Sequence, residues 1–364
     1  MSHTPTSTVS GPPLLQTGIL GWLRQNLFSS PLNAILTVLS AWLLLLTVPA
    51  TIDWLFIKAN FDAQTAQDCR ASAGACWAFI REKHRLILFG IYPYDEQWRP
   101  LLATILLTLL IVCSCIRWFW KPWLPLLWLA GLTVVGILMW GGVLGLSYVE
   151  NSLWGGLPLT LILATFGIAF AFPLGVLLAL GRTSRLPAVK AVCVVYIELI
   201  RGVPLISLLF MSSVMLPLFM PEGFNIDKLL RAQIAIILFA AAYIAETVRG
   251  GLQAIPKGQY EGAASLGLSY WRTMRQIILP QALKIVIPPL VGIFISLFKD
   301  TSLVVIIGIF DLTQAAKVAL ADSAWRGFSR EAYLFIALIY FVFCYSISRY
   351  SRSLERRLQT GYER

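Results

Sequence analysis

Charged residues make up only 13% of this 364-residue chain, so those embedded in apolar sequence carry most of its chemical information. Glu198 and Arg201 lie one helical turn apart within an apolar stretch, with Gly202 and Pro204 directly behind them. Charge at membrane depth is costly and faces protein or a watered path, and Pro204 removes a backbone donor and frees a carbonyl there. Two readings stand for the pair: contact with a solute carrying both charges, or pairing with each other or a neighbouring span to hold a gate together. Glu246 and Arg249 have the same spacing near the end of another apolar stretch, where snorkelling to water is cheap. That position suits a structural or loop-positioning role first and a solute-facing one second. Lys299, Thr301 and Ser302 close a later stretch and are open between gate and packing.

Other chemistries lack their residues. No Gly-x4-Gly-Lys-Ser/Thr loop occurs, so the chain has no such cradle for ATP phosphates. His3 and His84 are isolated, and Cys113, Cys115, Cys193 and Cys344 fall in apolar runs without the His or acidic companions of a metal site. No catalytic residue, metal or bound cofactor is expected. Cys69 and Cys76 are different: six mostly small residues separate them outside the apolar runs, a spacing that could close a disulfide loop in an oxidising compartment.

A hydrophobic fraction of 58% and a mean hydropathy of +0.75 place the elements that position these residues in lipid. A hydrocarbon core about 30 Å thick needs about 20 apolar residues per helix. Eight spans are expected, near 33–50, 101–117, 124–147, 157–180, 189–219, 232–250, 283–298 and 332–350. Several are longer than required, which implies tilt or a break. The formal net charge of +11 does not cluster on one aromatic-studded face, which argues against nucleic acid. Bases instead gather on one side of the membrane, from Arg24, Arg117, Lys121, Arg182 and Arg185 through Arg272 and Arg275 to Arg352, Arg356 and Arg357. The positive-inside rule then puts both termini in the cytoplasm. The first span reads as an uncleaved anchor, because its leader is long and weakly basic for a signal peptide.

Composition and spacing divide the chain into a cytoplasmic segment 1–32, three spans over 33–150 with an external loop 51–100, five spans over 151–352 and a basic tail 353–364. The longest inside loop, 251–282, is the most informative stretch. Pro256 can open a helix, Gly267 can end it in a left-handed cap, and Ser269 can cap a second helix running to Pro280. Gly262, Ala263 and Ala264 leave the first helix almost bare, so another protein could approach closely and hold it in a groove. A plain connector with helical propensity is the other reading of the same residues.

Glu261-Gly262-Ala263, then Gly267, then Ile277-x-Leu279-Pro280 resembles the "EAA" loop of bacterial ABC importer permeases, with every spacing matched and Gly262 in place of the usual Ala. The small surface is kept at a helix cost of about 1 kcal/mol. Ala242 to Glu246 with Arg249-Gly250-Gly251, Glu198-x-x-Arg201-Gly202-x-Pro204-Leu205, and Lys299-x-Thr301-Ser302-Leu303 are similar to signatures of the polar amino-acid branch of that family. The added leading spans resemble the longer permease of general L-amino-acid importers. This resemblance implies an all-α membrane protein with a five-helix permease core, coupling through Glu261 to Pro280 to a separate ATPase that binds ATP and Mg. It also implies a sister permease, a periplasmic substrate-binding protein and an inner-membrane location. The alternative from another class is a stand-alone ion-coupled amino-acid carrier, in which Glu198 and Glu246 would titrate or bind cations and no docking loop would be needed.

Overall fold

The computed structural model describes residues 18–221, 223 and 226–359, and its contacts divide the chain into two compact units, Met1–Ala78 and Phe79–Arg364.

In the first unit, α1 (Gly18–Asn26) precedes α2 (Pro31–Ile52). Ser30 caps α2 by accepting from the Asn33 N–H at 3.2 Å, and Pro31 costs no hydrogen bond in the first turn. One further π-turn, Asp53–Ile57, lengthens the apolar rod, none of whose window is buried against protein, as suits a surface solvated by lipid chains. A small ordered knot follows. Its helix α3 (Ala66–Ala71) starts with a capping box between Thr65 and Asp68. Gly74 is required here, since a Cβ would stand 2.1 Å from the Lys58 carbonyl.

The second unit is built on α4 (Trp77–Phe89), whose first turn contains the boundary, α5 (Trp98–Cys115), α6 (Leu124–Trp140), α7 (Gly156–Arg182), α8 (Pro187–Gly202), α9 (Leu205–Phe210) and α10 (Lys228–Gln253). It continues through the short α11 (Lys257–Ser265) and α12 (Tyr270–Thr273) to α13 (Leu279–Asp300), α14 (Leu312–Ala321) and α15 (Ser329–Gln359). The core centres on α7 against α10 and α10 against α13. Small residues allow this approach: a Cβ on Gly175 would lie 2.6 Å from Ile244 Cγ2, and one on Gly251 would lie 2.8 Å from the Ala282 carbonyl.

Among the described residues six helices are long and apolar enough to span a bilayer, seven if a bent pair is one span, and α6 is a shorter apolar helix. The expected eight therefore correspond to real apolar helices, with three corrections. The span expected at 124–147 stops at Trp140, because Gly141 and Gly142 take φ of +69° and +74° and turn the chain back, Val149 N–H donating to the Trp140 carbonyl at 2.7 Å. The span expected at 189–219 is two helices crossing at 102°, broken at Val203-Pro204. The span expected at 283–298 is the middle of a longer helical run, Tyr270–Ile307.

Candidate functional site

Glu198, Arg201, Glu246 and Arg249 converge, with partners that their spacing alone does not name. Glu246 on α10 accepts both branches of the Arg249 guanidinium, from Nε at 3.0 Å and Nη2 at 2.5 Å, the fork geometry that makes arginine–carboxylate pairs strong. Two further arginines approach the same carboxylate, Arg182 at 3.5 Å and Arg201 at 4.0 Å. Arg182, on the last turn of α7, also pairs with Glu198 at 2.7 Å as a charge contact outside hydrogen-bond angles. Glu198 and Arg201 thus reach across to neighbouring helices rather than to each other. Three arginines face two glutamates, drawn from the ends of α7 and α8 and the later half of α10. The sequence marks Arg182 only as one of the bases on the inside of the membrane; as a partner of these glutamates its one signal is that of a base closing a long apolar run.

Arg201 also stands over the Tyr243 ring at 5.6 Å, a cation–π distance. Tyr243 lines a recess of about 400 Å³ between α10 and α13, whose other walls include Phe239, Pro289, Gly292, Ser296 and Asp300. Neither Tyr243 nor Asp300 had been assigned to a path. Gly202 meets nothing within 4 Å of where a Cβ would stand, and Pro204 begins α9 in extended backbone. Lys299 is exposed at the end of α13, Ser302 is half-buried, and Thr301 is fully buried with its hydroxyl donating to the Phe298 carbonyl at 2.7 Å.

The loop after α10 is a pair of short helices, as the spacing indicated. Gly267 takes φ of +69° with open space around it, and Leu268 N–H reaches back to the Ala263 carbonyl at 3.2 Å, closing α11 as a left-handed glycine cap does. Ser269 stands at the cap of α12 but its side chain accepts no cap hydrogen bond. The second helix does not end before Pro280: it runs through a π-turn, Met274–Ile278, into α13. One side of α11 is anchored, with Ala263 buried, the Tyr260 hydroxyl donating to Leu252 at 3.4 Å, and Gln281 of α13 donating to Gln259 at 3.1 Å. Burial raises the Tyr260 phenol above its usual value. The other side is bare: Glu261, Gly262, Ala264 and Gly267 are exposed, and Leu266 and Trp271 are 77% and 68% exposed. Ile277 and Leu279 are half-buried and Pro280 is exposed where the loop joins α13. Large apolar side chains displayed around a glycine-rich turn fit a surface that another protein covers.

Cys69 and Cys76 are disulfide-bonded with Cα atoms 5.5 Å apart, both buried in the knot of the first unit.

The family model for "binding-protein-dependent transport system inner membrane component" matches residues 171–360. The chain is 53% identical over 350 residues to the inner membrane amino-acid ABC transporter permease protein YhdY of Escherichia coli (strain K12), covering 93% of each. It is 41% identical to the glutamate/glutamine/aspartate/asparagine transport system permease protein BztC of Rhodobacter capsulatus, covering 96% of each. A solved amino acid ABC transporter chain is similar at 36% identity, 54% coverage of this chain, 90% of that one, and a TM-score of 0.49.

Proposed function

Because the chain belongs to the family of binding-protein-dependent transport system inner membrane components, we propose that it is the permease subunit of an ATP-driven amino-acid importer. It forms half of a path through the membrane, while cytoplasmic ATPase subunits bind ATP with Mg and perform the hydrolysis. One observation carries this reading: α11 and α12 present a bare, exposed face containing Glu261, Gly262 and Leu266, while Gln259–Gln281 and buried Ala263 tie its back to α13. A partner closing on that face would push on α13, which walls the recess that contains Tyr243 and Asp300. Names of the relatives that the chain matches along nearly their whole length support amino acids as cargo. A stand-alone ion-coupled carrier would have no use for such a face.

The assembly we infer contains a sister permease as the other half of a heterodimer and a periplasmic substrate-binding protein that delivers cargo. The location is a bacterial inner membrane with both termini cytoplasmic, a reading supported by the bias of Lys and Arg toward alternate loops. Arg201 and the recess beside it suit the carboxylate of the cargo, and Asp300 suits its ammonium. The test is uptake of labelled glutamate by cells lacking their own carriers, expressing the chain with its transporter partners, against unlabelled Ala, Leu, Lys and His. ATP-dependent uptake that is lost in Glu261→Lys and yields to several competitors upholds the proposal. Normal transport by Glu261→Lys, driven by an ion gradient, overturns it.

A further inference from the structure

One helical run joins the bare loop after α10 to the wall of the recess. It extends from Tyr270 to Ile307 and takes in α12, the π-turn Met274–Ile278 and α13. Two consecutive prolines, Pro288 and Pro289, lie inside α13. Neither has a backbone N–H, so the carbonyls of Lys284 and Ile285 lack their donors four residues on, and the rings crowd the preceding turn. Adjacent rungs are thus missing from the helical ladder, the ordinary cause of a sharp bend.

The two sides of this gap are held by different helices. On the loop side Ala282 and Val286 are buried against α10, where a Cβ on Gly251 would stand 2.8 Å from the Ala282 carbonyl and 2.6 Å from Val286 Cγ1. Gln281 ties the same segment to α11 by donating to Gln259 at 3.1 Å. On the far side Phe298 is buried against two rings of α15, with Tyr340 and Phe343 each 5.4 Å away. Between these anchors Pro288, Pro289 and Gly292 are exposed, and a Cβ on Gly292 would meet nothing within 4 Å. A joint with missing backbone bonds and an uncovered face bends with little loss of contact.

Every α13 residue that walls the recess lies at or beyond this joint, from Pro289 and Gly292 through Ser296 to Asp300. The facing wall, Phe239 and Tyr243, belongs to α10. Bending at the prolines therefore changes the width of the recess while the contact of Gly251 with Ala282 stays closed.

We propose that Pro288 and Pro289 are positioning residues for transport: they form the hinge at which a partner closing on α11 and α12 moves the recess wall relative to Tyr243. This role rests on the transport function proposed for the chain and fixes where in α13 the motion occurs. The segment before the prolines follows the loop, and the segment from Pro289 to Asp300 swings with α15. That outer arm is about 16 Å long, so a bend of about 20° carries its end about 6 Å.

The test uses the complete transporter in proteoliposomes, with the native chain or with Pro288→Ala combined with Pro289→Ala. Alanine restores both N–H groups and favours helix, so the thermal midpoint of the variant should not fall. Its ATP hydrolysis should stay within about twofold of native while amino-acid uptake drops about tenfold, as for a change within an element that carries coupling. Pro173→Ala restores a rung in α7, which neither walls the recess nor continues into the loop, and should leave both rates unchanged. Spin labels report the motion itself, in a background with Cys113, Cys115, Cys193 and Cys344 replaced by Ala. Between nucleotide-free and vanadate-trapped states, labels at exposed Leu230→Cys and Lys299→Cys, near the outer ends of α10 and α13, should move by several ångströms. Labels at exposed Gln253→Cys and Lys284→Cys should not, and in the double-alanine variant neither pair should move. Full uptake by that variant, equal loss of uptake and hydrolysis, or an outer-pair movement that survives the substitution overturns the hinge and leaves the transport reading standing. A native assembly that takes up no amino acid in response to ATP overturns the transport reading and the hinge with it.

Discussion

The Arg249 guanidinium clasps the Glu246 carboxylate from the same face of α10, at 3.0 and 2.5 Å, and so leaves Arg182 and Arg201 to share what remains of that charge from α7 and α8. The arrangement makes Glu246 the common partner of three arginines. Removing it leaves three like charges facing only Glu198, whose side chain is 54% exposed. Glu246→Gln should therefore destabilise the folded chain by about 2–3 kcal/mol, below the range for a wholly buried broken pair because Glu246 keeps some water. Glu198→Gln should cost less than about 1 kcal/mol, as exposed pairs do. Thermal unfolding of the two variants in the same detergent checks the order; equal midpoints would mean that the cluster has no centre.

Leu266 and Trp271 should separate docking from folding. Both are largely exposed, so Leu266→Asp and Trp271→Ser should leave the thermal midpoint of the chain unchanged. Each should lower recovery of the ATPase with the permease at least tenfold, the loss of about 1.4 kcal/mol or more expected when a large apolar contact leaves an interface. Co-purification in detergent measures it. Full recovery with both variants would place the docking surface elsewhere.

What could be read from the sequence was local. The two-helix loop was legible because Pro256, Gly267 and Pro280 act on their own backbone within a few residues, and Gly267 does take the left-handed conformation. The break after Gly202 was legible from Pro204, but its 102° angle depends on what the two arms pack against. The end of α6 was hidden, since Gly141 to Leu146 remain apolar while their backbone turns back. The charged cluster was only half visible. The one-turn spacing of Glu198 and Arg201 left pairing with each other or with a neighbouring span equally open, and it did not name Arg182 and Glu246, which come from separate helices and meet them only through tertiary packing. No periodicity carries that information.

The disulfide between Cys69 and Cys76 closes a loop of sequence separation 7, both residues being buried. A loop of about eight residues predicts roughly 2.5 kcal/mol of stabilisation by restriction of the unfolded chain. A maleimide that cannot cross membranes should label neither cysteine in intact spheroplasts and should label both after reduction and mild denaturation. Cys69→Ser with Cys76→Ser should raise proteolytic cleavage between Asp62 and Cys76 several-fold. Labelling without reduction would mean that the thiols are free in the native chain.

Asp311 should give the protein a stability that falls as pH rises. It is fully buried at the cap of α14, accepting from the N–H groups of Thr313 at 3.0 Å and Gln314 at 2.9 Å. Lys317 and the Tyr340 hydroxyl are the titratable groups whose charges act on it. Burial outweighs the cap bonds and pushes its carboxyl up to about 6. The fold thus holds the proton more tightly than the unfolded chain, whose aspartates titrate near 3.9. Stability is full below that lower value, declines as pH rises through about 6, and is flat above it, a total change on the order of 3 kcal/mol. Asp311→Asn keeps one oxygen, enough for one of the two cap hydrogen bonds, and removes the titration. The variant should show no such slope between pH 4.5 and 7.5. A slope unchanged by the substitution would assign the pH dependence to other carboxylates.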